Sequence, residues 1–292
     1  MPPLRLITTL IVVALAAFAV ACGDDDDDSA GSGSAATSTE AAASPNCDKG
    51  SLSLKTAGRL TVGTDKPAYP PYFEDDDPTN GKGFESAVAY AVAEELGFGK
   101  DEVTWVTVPF NSSYAPGPND FDFDINQISI TPQRAKRVDF SEPYFTAPQA
   151  VIAVEGSKAA GAKSLADLAD VSLGVQVGTT SLEAAQASIK PTRQPQVFND
   201  SNDVVRALKT KRVEAAVVDL PTAFYLTGAE LENSTIVGQF EAPGGDEWGL
   251  LLEKDSELTG CVNEAVTALR EDGTLDRLQD EYMGGDAAPE LR

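Results

Sequence analysis

The sequence of 292 residues contains no histidine, and this absence excludes several kinds of site at once. Catalytic nucleophiles that depend on a histidine base, in Ser-His-Asp or Cys-His arrangements, are ruled out. The side chain that most often binds transition metals is missing as well. We therefore expect no catalytic residue of these classes, no metal site and no cofactor.

Basic residues are scarce beside acidic ones, with 22 Lys and Arg against 46 Asp and Glu and a formal net charge of -24. A surface of this sign repels phosphate groups, so we expect no nucleic-acid partner. The run from Asp24 to Asp28 contributes to this charge and is typical of a solvated tail rather than a metal site. The chain is long enough for two domains and a substantial core.

The amino terminus carries an apolar run from Leu6 to Val20, preceded by the single cation Arg5. This run is short for a membrane-spanning helix and is followed by acidic, low-complexity sequence. The pattern predicts a signal peptide at residues 1–21.

The residues that end this run, Ala19-Val20-Ala21-Cys22, resemble a bacterial lipobox, although leucine is usual at the first of these positions. The resemblance implies cleavage before Cys22, lipidation of its sulfur and anchoring to the outer face of the cell membrane. The alternative is an ordinary signal peptide with a small-residue cleavage site. Residues 22–58 are then the lipidated cysteine and a linker, whose Ser, Ala, Gly and Thr from Ser29 to Pro45 predict flexibility.

The chain has only three cysteines, and two remain, Cys47 and Cys261, if Cys22 carries lipid. An even number of cysteines in an exported protein indicates a disulfide bond. The alternative is two separate buried thiols.

From residue 58 onward, predicted strands alternate with predicted helices, which indicates an α/β architecture with mostly parallel sheets. Two segments are rich in helix breakers and are predicted as loops, 66–71 and 110–118. The predicted strands are 58–65, 103–108, 121–130, 149–154, 171–177, 213–218 and 248–252. The predicted helices are 83–97, 132–138, 164–168, 181–189, 204–209, 258–269 and 274–282.

The sharpest change of pattern lies where the strand 121–130 meets the helix 132–138. Thr131 and Pro132 suit the cap and first position of a helix, which places Arg134 in the first turn. A cation there is unfavourable beside the positive end of the helix dipole unless an anion is near. That anion is either a ligand carboxylate or a neighbouring acid such as Asp139 or Glu142.

Polar residues follow the carboxyl ends of three predicted strands: Ser129 with Arg134, the segment Gly178-Thr179-Thr180, and Asp219. Small ligands bind at this edge in open α/β sheets. These residues therefore predict a ligand site, although Asp219 could instead cap the helix that contains Pro221.

Together with Tyr69-Pro70-Pro71-Tyr72, Gly83-Phe84-Glu85, residues 130–144 and Asp272-Gly273-Thr274-Leu275, these elements resemble the polar amino-acid solute-binding proteins of bacterial ABC importers. The resemblance runs from about Arg59 to Met283. It implies a two-lobed type II periplasmic-binding-protein-like fold, with lobe 1 from 59–150 and 246–286 and lobe 2 from 151–245. The strands 149–154 and 248–252 would cross at the hinge. It also implies a monomer that serves a membrane ABC permease.

In that family, an arginine at the position of Arg134 and the backbone at Ser129 and Thr180 hold the ligand carboxylate. An acid at the position of Asp219 holds the ammonium, and aromatic residues at the positions of Tyr69 and Phe110 enclose the side chain. This chain departs from the family after Phe110, where the usual helix is replaced by a loop rich in Gly and Pro. The implied ligand-binding residues are Asp65, Tyr69, Tyr72, Phe110, Gln127, Ser129, Arg134, Thr179, Thr180 and Asp219.

Two of these residues have open roles. Asp65 either contacts a cationic or amide ligand side chain or caps the loop at Lys66, and Gln127 either narrows the pocket or bonds to the ligand. Acids at Asp65 and Glu74 favour a cationic or amide ligand over an acidic one.

Two other functions stay open as alternatives to transport. A dehydratase-like enzyme on the same fold could act on a cyclic carboxylate, with Asp65, Glu74 or Glu85 as general acid. A ligand sensor for a separate signalling partner would use the same fold without a permease.

Overall fold

The computed structural model describes residues 45–284 and 288–292 of the chain. The predicted signal peptide, Cys22 and most of the predicted linker lie outside the described residues. Within these ranges, no helix is both long enough and apolar enough to cross a membrane.

Ten strands and seven α-helices form the described part of the fold. The strands are β1 Leu60–Thr64, β2 Val103–Thr107, β3 Phe123–Asp124, β4 Val138–Thr146, β5 Gln149–Val154, β6 Leu173–Gln176, β7 Gln196–Phe198, β8 Ala215–Asp219, β9 Ser234–Phe240 and β10 Glu247–Glu253. The helices are α1 Phe84–Glu95, α2 Phe110–Ser113, α3 Thr180–Ala184, α4 Ser201–Lys209, α5 Leu220–Tyr225, α6 Thr259–Glu271 and α7 Thr274–Tyr282. Single π-helical turns continue α3 and α5 at Ala185–Ile189 and Leu226–Glu230.

The strands form two five-stranded sheets, with the orders β2-β1-β3-β10-β4 and β7-β6-β8-β5-β9. In each sheet two neighbouring pairs are parallel and two are antiparallel. The antiparallel pairs are those of β5 and β10. The chain enters each of these strands after leaving the other sheet, and each lies between two strands that run opposite to it. The predicted two-lobed α/β fold with mixed sheets is confirmed, but parallel and antiparallel pairs are equal in number, so the sheets are not mostly parallel as expected.

The chain passes from the first sheet to the second through residues 147–148 and returns through residues 241–246. We call the elements on the first sheet lobe 1, those on the second sheet lobe 2, and these two segments the connectors. Gln149 and Ala150 pair with β8 and β9, so sheet membership places them in lobe 2. The exact lobe boundaries at 150/151 and 245/246 stay a proposal.

Each sheet is covered by side chains on both faces. In β5, Val151 belongs to one apolar cluster and its neighbour Ile152 to another, because successive residues of a strand point to opposite faces. In lobe 1, Phe84 of α1 and Val262 of α6 pack in one cluster with Trp248. The middle strands of each sheet are therefore buried along their length and reach the cleft at their ends.

The predicted disulfide bond joins Cys47 to Cys261, with 5.4 Å between the two Cα atoms. Leu52 and Leu54 also pack against the core of lobe 1. Within the predicted linker, a disulfide bond at Cys47 and two partly buried leucines thus hold the described segment against lobe 1, and the boundary of the linker at residue 58 stays a proposal.

The last residues of the chain lie on lobe 2, which the sequence did not predict. The main-chain N–H of Gln239 donates to the carbonyl oxygen of Pro289, and that of Leu291 donates to Gln239, both over 2.8 Å. Leu291 is buried in the core of lobe 2. Residues 288–292 therefore run beside the edge strand β9.

Three local predictions around the site are wrong. The strand 121–130 is regular only at Phe123–Asp124, because Gln127 takes a left-handed φ of 48° while its N–H donates to buried Glu85. The helix 132–138 is a single 3-10 turn, because Val138 instead pairs with β10. The loop 110–118 begins with α2, whose first N–H donates to the carboxylate of Asp65.

Candidate functional site

A cleft of about 950 Å³, its open mouth included, lies between the two lobes. It forms where the carboxyl ends of β1, β6 and β8 face one another, as expected for an α/β ligand site. Lobe 1 lines it with Asp65, Lys66, Pro67, Ala68, Tyr69, Phe73, Phe110, Asn126, Gln127 and Ser129. Lobe 2 lines it with Gln176, Thr179, Thr180, Ser181, Asp200, Ser201, Val204, Val217, Val218, Asp219, Thr222 and Leu226.

The structure brings eight of the ten predicted binding residues to this cleft. They are Asp65, Tyr69, Phe110, Gln127, Ser129, Thr179, Thr180 and Asp219. Tyr72 lies behind the wall, 2% exposed, and its hydroxyl forms a hydrogen bond of 2.8 Å with Thr222 of lobe 2. Arg134 lines an adjoining groove that shares Thr179 and Thr180 with the cleft. Direct ligand contact stays a prediction for all ten.

The buried guanidinium of Arg134 bridges the lobes. Its Nη1 donates to the carbonyl oxygen of Ser129 over 2.6 Å, and its Nη2 donates to that of Gly178 over 2.8 Å. The neighbouring acid Asp139 pairs with Lys254 Nζ at 2.8 Å. The interpretation that Arg134 pairs with Asp139 is therefore wrong. Burial lowers the pKa of Arg134, and nearby anions oppose this shift.

Tyr114 was not predicted, yet it covers Arg134. The guanidinium carbon lies 5.0 Å from the centre of the Tyr114 ring and 5.6 Å from that of Phe110. The Tyr114 hydroxyl donates to the carbonyl oxygen of Gly178 over 3.2 Å. The segment after Phe110, which departs from the family pattern, thus places an aromatic ring over the arginine and a contact to lobe 2.

Asp219 ends β8 and stands at the first cap position of α5, but its side chain does not cap that helix. It accepts instead from the amide Nε2 of Gln149 over 2.5 Å. The same nitrogen lies 2.5 Å from Oδ2 of Asp246, which is almost fully buried. Burial, followed by repulsion from Asp246, raises the pKa of Asp219 well above its ordinary value.

Gln149 and Asp246 were not predicted as site residues. The signal available in the sequence was a glutamine opening the apolar strand QAVIAV, where a fully buried amide needs polar partners.

Both predicted roles of Asp65 are compatible with the structure. Its Oδ1 accepts from the N–H of Lys66 over 2.7 Å and its Oδ2 from that of Phe110 over 3.1 Å, so it caps two turns. It also lines the cleft, as does Asp200. Burial first, and Asp200 to a lesser degree, raise the pKa of Asp65.

Gln127 is held in place by Glu85 beneath the cleft. Its main-chain N–H donates to Glu85 Oε1 over 2.7 Å, its side-chain amide donates to Oε2, and the Tyr144 hydroxyl donates to Oε1. Burial raises the pKa of Glu85 to about 7, against these three hydrogen bonds. The Gln127 side chain therefore lines the cleft with its amide nitrogen already bonded to Glu85, and both predicted roles of Gln127 stay open.

Comparison with known proteins gives the family. Residues 60–285 match the model for bacterial extracellular solute-binding proteins, family 3. The chain is 28% identical over 248 residues to the arginine-binding extracellular protein ArtP of Bacillus subtilis (strain 168), covering 84% of this chain and 92% of that protein. It is 29% identical over 242 residues to the L-cystine-binding protein TcyJ of Escherichia coli (strain K12), covering 82% and 88%.

Among solved structures, the chain is similar to an ancestral arginine-binding protein bound to glutamine. The TM-score is 0.67 at 31% sequence identity, and the match covers 78% of this chain and 99% of that one. The family match, the two mixed sheets and the cleft between them agree with the resemblance inferred from the motifs, which is confirmed. This protein belongs to the bacterial extracellular solute-binding proteins of family 3.

Proposed function

We propose that this protein binds an α-amino acid between its lobes outside the cytoplasm, releases it unchanged and delivers it to an ABC permease. The observation that carries the proposal is a hydrogen-bond chain beside the cleft that links an acid of lobe 2 to an arginine of lobe 1. It runs Asp219, Gln149, Asp246, Thr180, Ser129 and Arg134. An acid and a cation so placed suit the two charges of one zwitterion.

At the carboxylate end, Arg134 is the group of interest. Two of its five N–H groups donate to main-chain carbonyls, which leaves further N–H groups for other partners. A ligand carboxylate would take charge-assisted bonds from this fork, helped by the hydroxyls of Ser129 and Thr180. These two hydroxyls already lie 3.2 Å apart across the lobes.

At the ammonium end, Asp219 retains partial exposure toward the cleft. Its second carboxylate oxygen makes no hydrogen bond within the described residues. A ligand ammonium would meet an acceptor that is already oriented by Gln149.

The distal part of the cleft favours a cationic or amide side chain. Asp65 and Asp200 line it, and Lys66 is the cation among its lining residues. Tyr69 and Phe110 offer aromatic faces, which attract cations. Relatives named for arginine and one bound to glutamine support the same ligand classes.

Delivery requires a closed form that the permease can recognise. Tyr72 meets Thr222 at 2.8 Å and Ser129 meets Thr180 at 3.2 Å across the lobes, so the described form is closed. A ligand that touches both lobes would favour this form. We place the hinge at the connectors 147–148 and 241–246, and not at the predicted strands 149–154 and 248–252, because each of those strands pairs within a single sheet. We propose that a monomer performs this cycle while lipid on Cys22 holds it at the outer face of the membrane.

The test is calorimetry and thermal unfolding of the chain without residues 1–21, against the twenty amino acids. We expect saturable heat and a raised melting temperature for a basic or amide amino acid. For arginine, the matched controls are agmatine, which lacks the α-carboxylate, and 5-guanidinopentanoate, which lacks the α-ammonium; both should bind at least tenfold more weakly. No response to any amino acid would contradict the proposal. Turnover of a cyclic carboxylate would support the dehydratase alternative instead.

A further inference from the structure

A second carboxylate, that of Asp246, lies behind Asp219 at the end of the cleft assigned to the ligand ammonium, without lining the cleft itself. Asp246 is the last residue of the return connector and directly precedes β10. It is 1% exposed, and its carbonyl oxygen accepts from the N–H of Ala147 in the other connector over 3.0 Å. The second acid therefore sits where the two connectors meet.

A single amide group joins this acid to Asp219. The Nε2 atom of Gln149 lies 2.5 Å from Asp219 Oδ1 and 2.5 Å from Asp246 Oδ2, so both of its protons are used. The amide oxygen of Gln149 is buried and has no partner in the described part of the chain. The two carboxylates are thus neighbours bridged by one neutral donor group.

The charges around this pair do not balance. Asp246 is faced by Gln149, Thr180, Ser129, Arg134 and Asp219, and Asp219 is faced by Gln149, Asp246, Arg134, Glu85 and Tyr72. Arg134 is the cation among these groups, and its Nη1 and Nη2 atoms donate to main-chain carbonyl oxygens. Two ionised carboxylates would leave one negative charge without a cationic partner, with Asp246 shielded from water at 1% exposure, which is costly.

We propose that Asp219 and Asp246 act as one site that holds a proton in the ligand-free protein, and that the ligand ammonium displaces this proton into solvent. This inference rests on the proposed function. The ammonium brings the positive charge that the proton supplied, so at pH values where the free pair holds its proton, the pair ionises fully only when ligand is bound. Burial, which raises the pKa of both carboxyls, agrees with a proton held in the free form.

The consequence is binding that depends on pH. Protons compete with the ligand wherever the free pair is protonated, so affinity falls as pH falls, by up to about tenfold per pH unit. At pH values where the free pair has already lost its proton, ligand binding releases no proton and the affinity no longer depends on pH. Asp246 acts through Asp219 and is a positioning residue in this scheme.

The decisive experiment measures protons released on binding of L-arginine, or of L-glutamine if arginine gives no heat. Calorimetry in phosphate and in Tris, buffers of different ionisation enthalpy, is repeated from pH 5 to pH 8. We expect release that approaches one proton per ligand at the lower pH values, together with the matching loss of affinity. Equal heats in both buffers at every pH, with binding intact, would overturn the inference. Absence of binding would instead contradict the proposed function.

Variants identify the source of the proton. Asp246→Asn should still bind ligand but release no proton, whereas Asp122→Asn should release as the parent does. Asp122 is the matched control because it is buried, burial raises its pKa, and it neither lines the cleft nor touches the pair. Release that persists in Asp246→Asn, or that disappears in Asp122→Asn, would overturn the assignment. If Asp246→Asn does not fold, Asp246→Glu keeps the charge and should retain release.

Discussion

The hydroxyl of Tyr114 in lobe 1 donates a hydrogen bond to the carbonyl oxygen of Gly178 in lobe 2 over 3.2 Å. Arg134 donates to the same oxygen over 2.8 Å. A Cβ atom on Gly178 would lie only 2.2 Å from the Tyr114 hydroxyl. The absence of a side chain at residue 178 is therefore what lets lobe 1 reach this carbonyl in the closed form.

Replacing Gly178 by Ala should weaken ligand binding about tenfold, because the added methyl group disrupts two hydrogen bonds of about 1 kcal/mol each in the closed form. Gly156→Ala is the matched control. Its φ of 75° is close to the 76° of Gly178, so the backbone strain of the two substitutions is similar, but no atom lies within 4 Å of a Cβ added at Gly156. Calorimetry measures the affinity, and small-angle scattering measures closure with ligand. Adding Tyr114→Phe to Gly178→Ala should restore part of the loss. Equal affinities for the two alanine variants would contradict this account.

Arg134→Ala should reduce the affinity for the amino acid by several kcal/mol, about 2–5, because a carboxylate would lose its charged partner in a buried place. The matched control is Arg277→Ala, whose side chain is 63% exposed on α7. Titration calorimetry compares the two variants with the parent. An Arg134→Ala protein that binds within twofold of the parent would exclude the role proposed for this arginine.

Deprotonation of Glu85 should lower the free energy of unfolding as pH rises. Its pKa is raised from 4.5 to about 7 in the folded state, so the folded protein binds the proton more tightly than the unfolded chain does. The stabilisation is present below about pH 4.5 and is lost as pH rises to about 7, up to about 3 kcal/mol in all.

Urea unfolding at pH 5 and pH 8 measures this effect. Glu85→Gln should lose less stability than the parent between the two values, while Glu95→Gln, exposed on the same helix, should behave as the parent does. Asp124 is also buried and its pKa is raised, so it contributes in the same direction, and only the difference between proteins isolates Glu85. Identical pH dependence in all three proteins would refute the prediction.

The disulfide bond closes a loop between residues 214 positions apart, so its loss should destabilise the fold. In a Cys22→Ala background, replacing Cys47 and Cys261 by Ala should lower the free energy of unfolding by about 2–4 kcal/mol. A reductant should lower the melting temperature of the background protein and leave that of the triple variant unchanged. No response of the background protein to reductant would show that the bond contributes nothing.

The carboxyl-terminal residues should stabilise lobe 2. Leu291 is 4% exposed in its core, so Leu291→Ala should cost about 2–4 kcal/mol of unfolding free energy. Val197→Ala is the control, because Val197 is 48% exposed, and it should change stability by less than about 0.5 kcal/mol. Urea unfolding compares them. Equal stabilities would mean that residues 288–292 do not pack as described.

Much of the fold could be predicted from local patterns. Helix α7 matches its predicted span of 274–282, since an apolar face of helical period and a flanking glycine are local signals. The errors cluster around the site. At 121–138, the hydrogen bond from Gln127 to Glu85 and the pairing of Val138 with β10 overrode the local preferences of the chain.

The sequence by itself determined the chemistry that is excluded and the residues that end the strands. These features are local: they are the lack of histidine, the acidic excess, the alternation of strands and helices, and the polar residues after three of the strands. None of them depends on a contact with a distant part of the chain. Only the tertiary structure decided which groups meet. Gln149 reaches Asp219 and Asp246 across 70 and 97 positions of sequence, and such contacts depend on how the sheets and connectors pack. The second acid became visible for this reason only in the folded chain.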